Sequence, residues 1–395
     1  MRRITRHSLI IAIAGACILS CSGPANQSTA TYDIGLVETK KITLPVDENT
    51  YYLGKRIFQY EEDGKEFLFF GNFDKGTYEI ILFEIANECV HKRIPLEKEG
   101  ANGVPAIAGC KPFWDSKQFI AFQHNISRIS ILDGEGNVSK HYFTDPGDGR
   151  FIRCSEGWSY SYQPSFIKDS VVYLSSGTQK SEMKHHEWST LPLFSLLDLR
   201  TGKIDQSRLC FPPIFDQDIK RVSGGHEFAY DYNYNQDRLV CSFYGYDSLM
   251  VTDDMQQVRW YDGKSRYLKS MRPQLKDAGD SRQLIKFREN PLYSRMMYDK
   301  YRDVYYRFAE MPYELQPDES PYEDPKSREF SVIIFDKDFR IIGETKFPGN
   351  KYFNKMSFVG RDGLYISENN LANPDFDEDK LVFACFKLED LKNKK

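Results

Sequence analysis

The sequence predicts an all-β chain folded as a six-bladed β-propeller. Three observations carry this: an aromatic composition suited to strands, a hairpin unit that recurs six times, and a spare N-terminal strand matching one missing at the C-terminus. The chain has 28 Phe and 25 Tyr against 9 Met, a balance that favours strands over helices. Its 395 residues fit two domains or one large repeat fold. With 41% hydrophobic and 28% charged residues, it is not disordered, collagen-like or a multi-span membrane protein. The net charge of −4 offers no global positive field for nucleic acid.

The first element is a processing segment. Arg2, Arg3 and Arg6 precede an apolar run from Leu9 to Leu19 that is too short to span a bilayer. Ile18, Leu19 and Ser20 then lead into Cys21, the pattern of a bacterial lipoprotein cleavage box. Residues 1–20 are expected as a lipoprotein signal peptide, with Cys21 the lipidated N-terminus. Residues 21–31 are small and polar and read as a flexible tether. Residues 32–395 form the propeller domain. No acidic cluster follows Cys21, which favours the periplasmic face of the outer membrane over the cell surface.

The first strand signal, residues 37–44, stands alone. The recurring unit follows: a short apolar or aromatic stretch, a polar turn often holding Asp, then an apolar β-rich run. It occupies residues 56–70, 112–122, 165–174, 231–243, 296–308 and 356–366, each read as a hairpin. A second hairpin follows the first five units, at residues 80–91, 129–138, 193–204, 248–258 and 332–342. Two hairpins make a four-stranded blade, and a ring of blades buries faces that one blade cannot. The sixth unit shows only three strands. The N-terminal strand is therefore expected to pair with the last blade and close the ring, which removes exposed sheet edges. Seven blades are the alternative, because the fifth unit carries long insertions around residues 261–290 and 312–326.

Together, the lipobox, the tether, about 375 residues after cleavage and the aromatic propeller units resemble a set of uncharacterised Bacteroidota lipoproteins. Those proteins carry a single propeller-like domain of unknown function. The resemblance implies outer-membrane association and supplies no activity, cofactor or site residue.

Catalytic signatures are missing. The chain has no G-x-S-x-G elbow, no H-E-x-x-H, no Walker A loop and no G-x-G-x-x-G after a strand. Asp133 to Asn137 looks like a calcium loop but is too short for an EF-hand and reads as a hairpin turn. His185 and His186 are adjacent, so on a strand they face opposite ways and would not share a metal. No metal or cofactor is expected. Cys241 and Cys385 lie in apolar runs and read as core residues, whereas the spacing of Cys89, Cys110, Cys154 and Cys210 leaves disulfide pairing open. Tyrosines cluster at 230–246 and 298–306, which suits inter-blade packing or a stacking surface.

In a propeller, the loops into the innermost strands and out of the second strands share one face around the channel. The register places Arg56, Lys111, His226, Arg295 and Lys355 at the leading positions, and His124 and Glu310 at the trailing ones. Converging cations there would form a positive mouth for an anionic ligand or acidic partner. The expected function is a membrane-anchored, non-catalytic propeller that binds an envelope protein, a glycan or an anionic ligand on one face. The alternative is a propeller hydrolase, lyase or lactonase, with His124, His226, Glu310 and Arg295 as candidates at the channel mouth.

Overall fold

The computed structural model describes residues 30–51, 56–73, 78–113, 118–123, 128–143, 164–175, 188–216, 228–269, 271, 289–317, 319–320 and 326–392. The expected signal peptide, Cys21, His124 and His226 lie outside the described residues.

Strands dominate. After β1 (Ile34–Pro45), four sheets of four strands follow in chain order. The first holds β2 (Ile57–Glu62), β3 (Lys65–Asn72), β4 (Glu79–Glu84) and β5 (Cys89–Pro95). The second holds β6 (Ile107–Pro112), β7 (Gln118–Gln123), β8 (Arg128–Asp133) and β9 (Val138–Phe143). The third holds β10 (Phe166–Lys168), β11 (Val171–Ser175), β12 (Phe194–Asp198) and β13 (Ile204–Gln206). The fourth holds β14 (Phe228–Asn233), β15 (Arg238–Phe243), β16 (Ser248–Thr252) and β17 (Arg259–Asp262). The remaining strands are β18 (Leu292–Asp299), β19 (Val304–Glu310), β20 (Phe330–Phe335), β21 (Ile341–Phe347), β22 (Phe353–Val359), β23 (Leu364–Ser367) and β24 (Lys380–Asp390). Among the described residues no helix is long and apolar enough to cross a membrane.

The recurring Asp has a backbone reason. Asp63, Asp169, Asp237 and Asp303 sit in hairpin turns with φ of 49°, 50°, 54° and 53°. A tight hairpin needs left-handed turn residues, and Asp tolerates that region better than most non-glycine residues. The calcium-like loop is likewise a turn: the backbone N–H groups of Glu135 and Asn137 both donate to Asp133 Oδ1 at 2.9 Å.

The spare N-terminal strand pairs antiparallel with β24 along its whole length, from Ile34 opposite Asp390 to Pro45 opposite Lys380. The expectation of six separate four-stranded blades needs correction. The last seven strands and β1 form one eight-stranded sheet, ordered β18-β19-β20-β21-β1-β24-β23-β22. The join is a parallel contact between β1 and β21 at Ile34 and Gly343. Glycine permits it, because a Cβ on Gly343 would stand 2.0 Å from the Ile34 carbonyl oxygen. No seventh sheet appears among the described residues.

Side-chain alternation lets each sheet bury both faces against its neighbours. Phe69 and Phe119 pack between the first and second sheets, Phe122 and Val172 between the second and third, and Phe166 and Tyr230 between the third and fourth. Ala229 and Tyr293 join the fourth sheet to the β18–β21 half, and Phe308 and Phe386 lie between the two halves of the large sheet. Phe70 and Phe358 bring its last strands back onto the first sheet. The sheets thus follow one another around a circle in a propeller arrangement. The Tyr-rich segments serve this packing: Tyr230, Tyr305 and Tyr306 are fully buried. Cys241 and Cys385 are buried core residues, and Cys89, Cys110 and Cys210 are free thiols. Cys154 lies outside the described residues.

Candidate functional site

β2, β6, β10, β14, β18 and β22 each stand at the end of their sheet order, so each has one edge without a strand partner. Backbone N–H and C=O groups on such an edge need other partners. Around a cavity of about 260 Å³, lined by residues of five of these strands and by Pro164 just before β10, polar side chains reach across the seams to supply them.

Lys111 near the end of β6 donates from Nζ to the Ser165 carbonyl ahead of β10. Asp231 of β14 accepts from the backbone N–H of Tyr298 on β18 at 2.8 Å and from that of Tyr232 at 2.9 Å. Arg295 of β18 donates to the carbonyls of Lys355 and Ser357 on β22 at 3.0 and 2.6 Å. Each of the three residues therefore ties its strand to the next and also lines the cavity.

Burial shapes their charge. Asp231 and Lys111 keep some exposure to the cavity but are otherwise surrounded by protein. Desolvation pushes the Asp231 carboxyl up to about 6, against the Tyr298 N–H and the nearby charges of Lys111 and Arg295, which favour the ion. Desolvation also lowers the Lys111 ammonium to about 8, with Asp231 pulling the other way. Perturbed groups of this kind concentrate at functional sites.

The apolar lining consists largely of fixed rings. Phe58 lies beneath Lys111, whose Nζ is 5.7 Å from the ring centroid. Tyr232 stacks on Phe166 at 4.5 Å and 9°, and Phe358 on Tyr365 at 4.7 Å and 5°. Tyr234 is half exposed at the lining, and its hydroxyl accepts from the Ile167 N–H at 3.3 Å, bridging the fourth and third sheets.

A charged clamp borders the cavity. Glu61 at the end of β2 pairs with Lys300 at 2.9 Å and Arg361 at 2.9 Å, and accepts a hydrogen bond from Tyr301. Burial opposes its ionisation, but the hydrogen bonds from Tyr301, Lys300 and Arg361 prevail and hold the carboxyl at about 2. The one lysine of this clamp that lines the cavity, Lys300, is thus already matched by a carboxylate.

Of the charged and histidine candidates from the sequence, Lys111 and Arg295 come together at the cavity, which Tyr232, Tyr234 and Tyr298 of the tyrosine clusters also line. The other described charged candidates, Arg56, Lys355 and Glu310, do not line it. The Arg56 guanidinium lies 5.8 Å from the Phe73 ring centroid. Lys355 contributes its carbonyl to Arg295. Glu310 is buried in an ion pair with Arg328 at 3.3 Å and accepts from Asn354 Nδ2 at 3.0 Å. The expected register also shifts, since Lys111, Arg295 and Lys355 lie inside β6, β18 and β22 rather than leading into them. The cause is the cavity itself. Charged residues break the apolar run of an innermost strand, so a reading that starts each strand at its first apolar residue starts too late. Asp231 was not a candidate from the sequence. The signal for it is an acid between Tyr230 and Tyr232 in the middle of an aromatic strand. Among the described residues no group of three or more His, Cys, Asp or Glu side chains could hold a metal ion.

Comparison with known proteins places this geometry in a lineage. The family model of a domain of unknown function, DUF4221, matches residues 33–346. A crystal structure of a DUF4221 member from Bacteroides vulgatus is 53% identical with a TM-score of 0.87, over 91% of this chain and 99% of that one. A structure named "Putative exported protein" from Bacteroides fragilis is 9% identical with a TM-score of 0.55, over 92% of this chain and 98% of that one, a likeness of fold alone. No curated protein matches the chain.

Proposed function

The chain belongs to the DUF4221 family, whose function is unknown, and on that premise we propose that it is a membrane-anchored, non-catalytic propeller that binds a small anionic ligand in its central cavity. One observation carries the reading. Lys111, Arg295 and Asp231 line one recessed cavity, where a bound anion would meet the Lys111 ammonium away from bulk water. Such a space strengthens electrostatic recognition relative to water. In this reading the eight-stranded sheet counts as two blades joined along β1 and β21. Six blades then surround the cavity, in keeping with the six apolar seams. The anchor is the lipidated Cys21, with the body held by residues 21–31 on the periplasmic side of the outer membrane; the lipobox pattern supports this.

The test is thermal unfolding with formate, acetate, benzoate or inorganic phosphate, set against neutral amides. Anions should raise the melting temperature of the wild type and leave Lys111→Gln unmoved. Equal stabilisation by amides, or none by anions, would overturn the reading. A second reading has its own support: Asp231 and Lys111 are both drawn toward neutrality near pH 7, as an acid–base pair would be. A turnover lost in Asp231→Asn while anions still bind would favour a propeller enzyme.

A further inference from the structure

We propose that Lys111 captures carbonyl compounds, forming a reversible imine with a small aldehyde that enters the central cavity. The reaction uses the cavity of the proposed function and does not depend on anion binding there. Position comes first. Lys111 lines the cavity, and its Nζ is steadied by a hydrogen bond donated to the Ser165 carbonyl. Among the described residues no carboxylate holds it in an ion pair, and Asp231 is the acid whose charge reaches it. A neutral amine has two N–H groups and a lone pair, so it can keep the Ser165 bond and still attack a carbonyl carbon.

Surroundings come second. Phe58, Tyr232 and Phe358 give the cavity apolar walls, and a desolvated lysine in such a pocket is an activated nucleophile. With its ammonium lowered to about 8, roughly a tenth of Lys111 is neutral at pH 7, against roughly one part in 2,500 for an ordinary lysine. A cavity of about 150 Å³ is enough for benzene, so about 260 Å³ admits an aldehyde of benzaldehyde size. The steps balance within the site. Nζ bonds to the carbonyl carbon, the C=O π electrons move to oxygen, and a proton passes from nitrogen to that oxygen to give a carbinolamine. The Asp231 carboxyl, raised to about 6, then protonates the hydroxyl, which leaves as water while the nitrogen lone pair closes the C=N bond. A neutral amine and a neutral acid thus become an iminium and a carboxylate, and hydrolysis reverses the sequence.

The experiment treats the full chain with benzaldehyde and sodium cyanoborohydride, which reduces the iminium to a stable benzylamine, and follows each lysine by peptide mass spectrometry. At pH 7 Lys111 should be labelled about tenfold or more faster than the exposed Lys203 and Lys337. Its rate should level off above about pH 8 while theirs keeps rising. In Asp231→Asn, Lys111 labelling should slow about tenfold or more with Lys203 and Lys337 unchanged. Labelling of Lys111 no faster than of the exposed lysines would overturn the proposal, and this comparison within the wild type decides the matter even if the variant folds poorly. An unchanged Lys111 rate in a folded Asp231→Asn would overturn the proton-donor role of Asp231. Anion stabilisation without selective labelling would remove the imine and leave the anion reading standing. Selective labelling without anion stabilisation would do the reverse.

Discussion

Arg295 on β18 donates to the Ser357 carbonyl on β22 at 2.6 Å, and a second guanidinium nitrogen donates to Lys355 at 3.0 Å. One planar side chain thus ties two innermost strands that share no ladder, and it does so at the wall of the cavity. Arg295→Met would leave buried carbonyls without these donors and should cost about 2–4 kcal/mol. Arg295→Lys should recover only part of the loss, since an ammonium cannot reproduce the planar fork. Chemical denaturation measures both, and a loss below about 0.5 kcal/mol in Arg295→Met would contradict the stapling role.

Arg307 on β19 makes a deeper staple. It is fully buried, donating to Ser242 Oγ at 2.8 Å and to the carbonyls of Gly263 and Tyr246 at 2.8 and 2.6 Å. Its guanidinium carbon lies 3.4 Å from the Tyr293 ring centroid. Arg307→Met strips the fourth sheet's loop carbonyls of their donor and should cost about 2–4 kcal/mol. Gly263→Ala places a Cβ 2.7 Å from the same guanidinium and should cost about 1–3 kcal/mol. Because the two share a contact, the double variant should cost less than the sum.

Gly343 holds the eight-stranded sheet together by its lack of a side chain. Gly343→Ala would force β1 and β21 apart and should cost about 1–3 kcal/mol. Hydrogen exchange should speed up near Ile34 while the far end of β1, paired with β24, stays protected. Uniform exchange along β1 would show that the join with β21 contributes nothing local.

Glu61 gives stability a defined pH dependence. Its carboxyl, ordinarily near 4.5, is held at about 2 in the folded chain. Its contribution is therefore complete above the ordinary value and is lost as pH falls from about 4.5 toward 2. At this half-exposed border, solvent screening reduces the contribution to about 1 kcal/mol. Glu61→Gln should flatten that part of the stability profile, and an unchanged profile would deny the clamp its role.

Anion binding should follow a different pH course. Protonating Asp231 removes a negative charge, so affinity should rise as pH falls through about 6. Deprotonating Lys111 removes a positive charge, so affinity should fall as pH rises through about 8. Titrations at several pH values check both limbs. Asp231→Asn should abolish the first and keep the second.

The sequence carries the fold more clearly than the site. The hairpin repeat is legible because four of its turns hold an Asp in left-handed geometry, at Asp63, Asp169, Asp237 and Asp303. The pairing of the N-terminal strand with β24 is legible because a three-stranded last unit leaves an edge to cover. The merger of the last two units is not, since it rests on the close approach of Ile34 and Gly343, which are far apart in sequence. The site is half legible. Lys111 and Arg295 stand out as charges beside aromatic runs. Glu310 stands out equally, yet it is spent on Arg328 inside the structure. Asp231 needed knowledge of which innermost strands face one another across the seams, and a single sequence does not provide that.

The most direct test of the central claim is anomalous diffraction from crystals of the protein soaked with bromide. The account predicts a bromide peak inside the cavity, within reach of Lys111 Nζ. Bromide peaks only on the outer surface would contradict it.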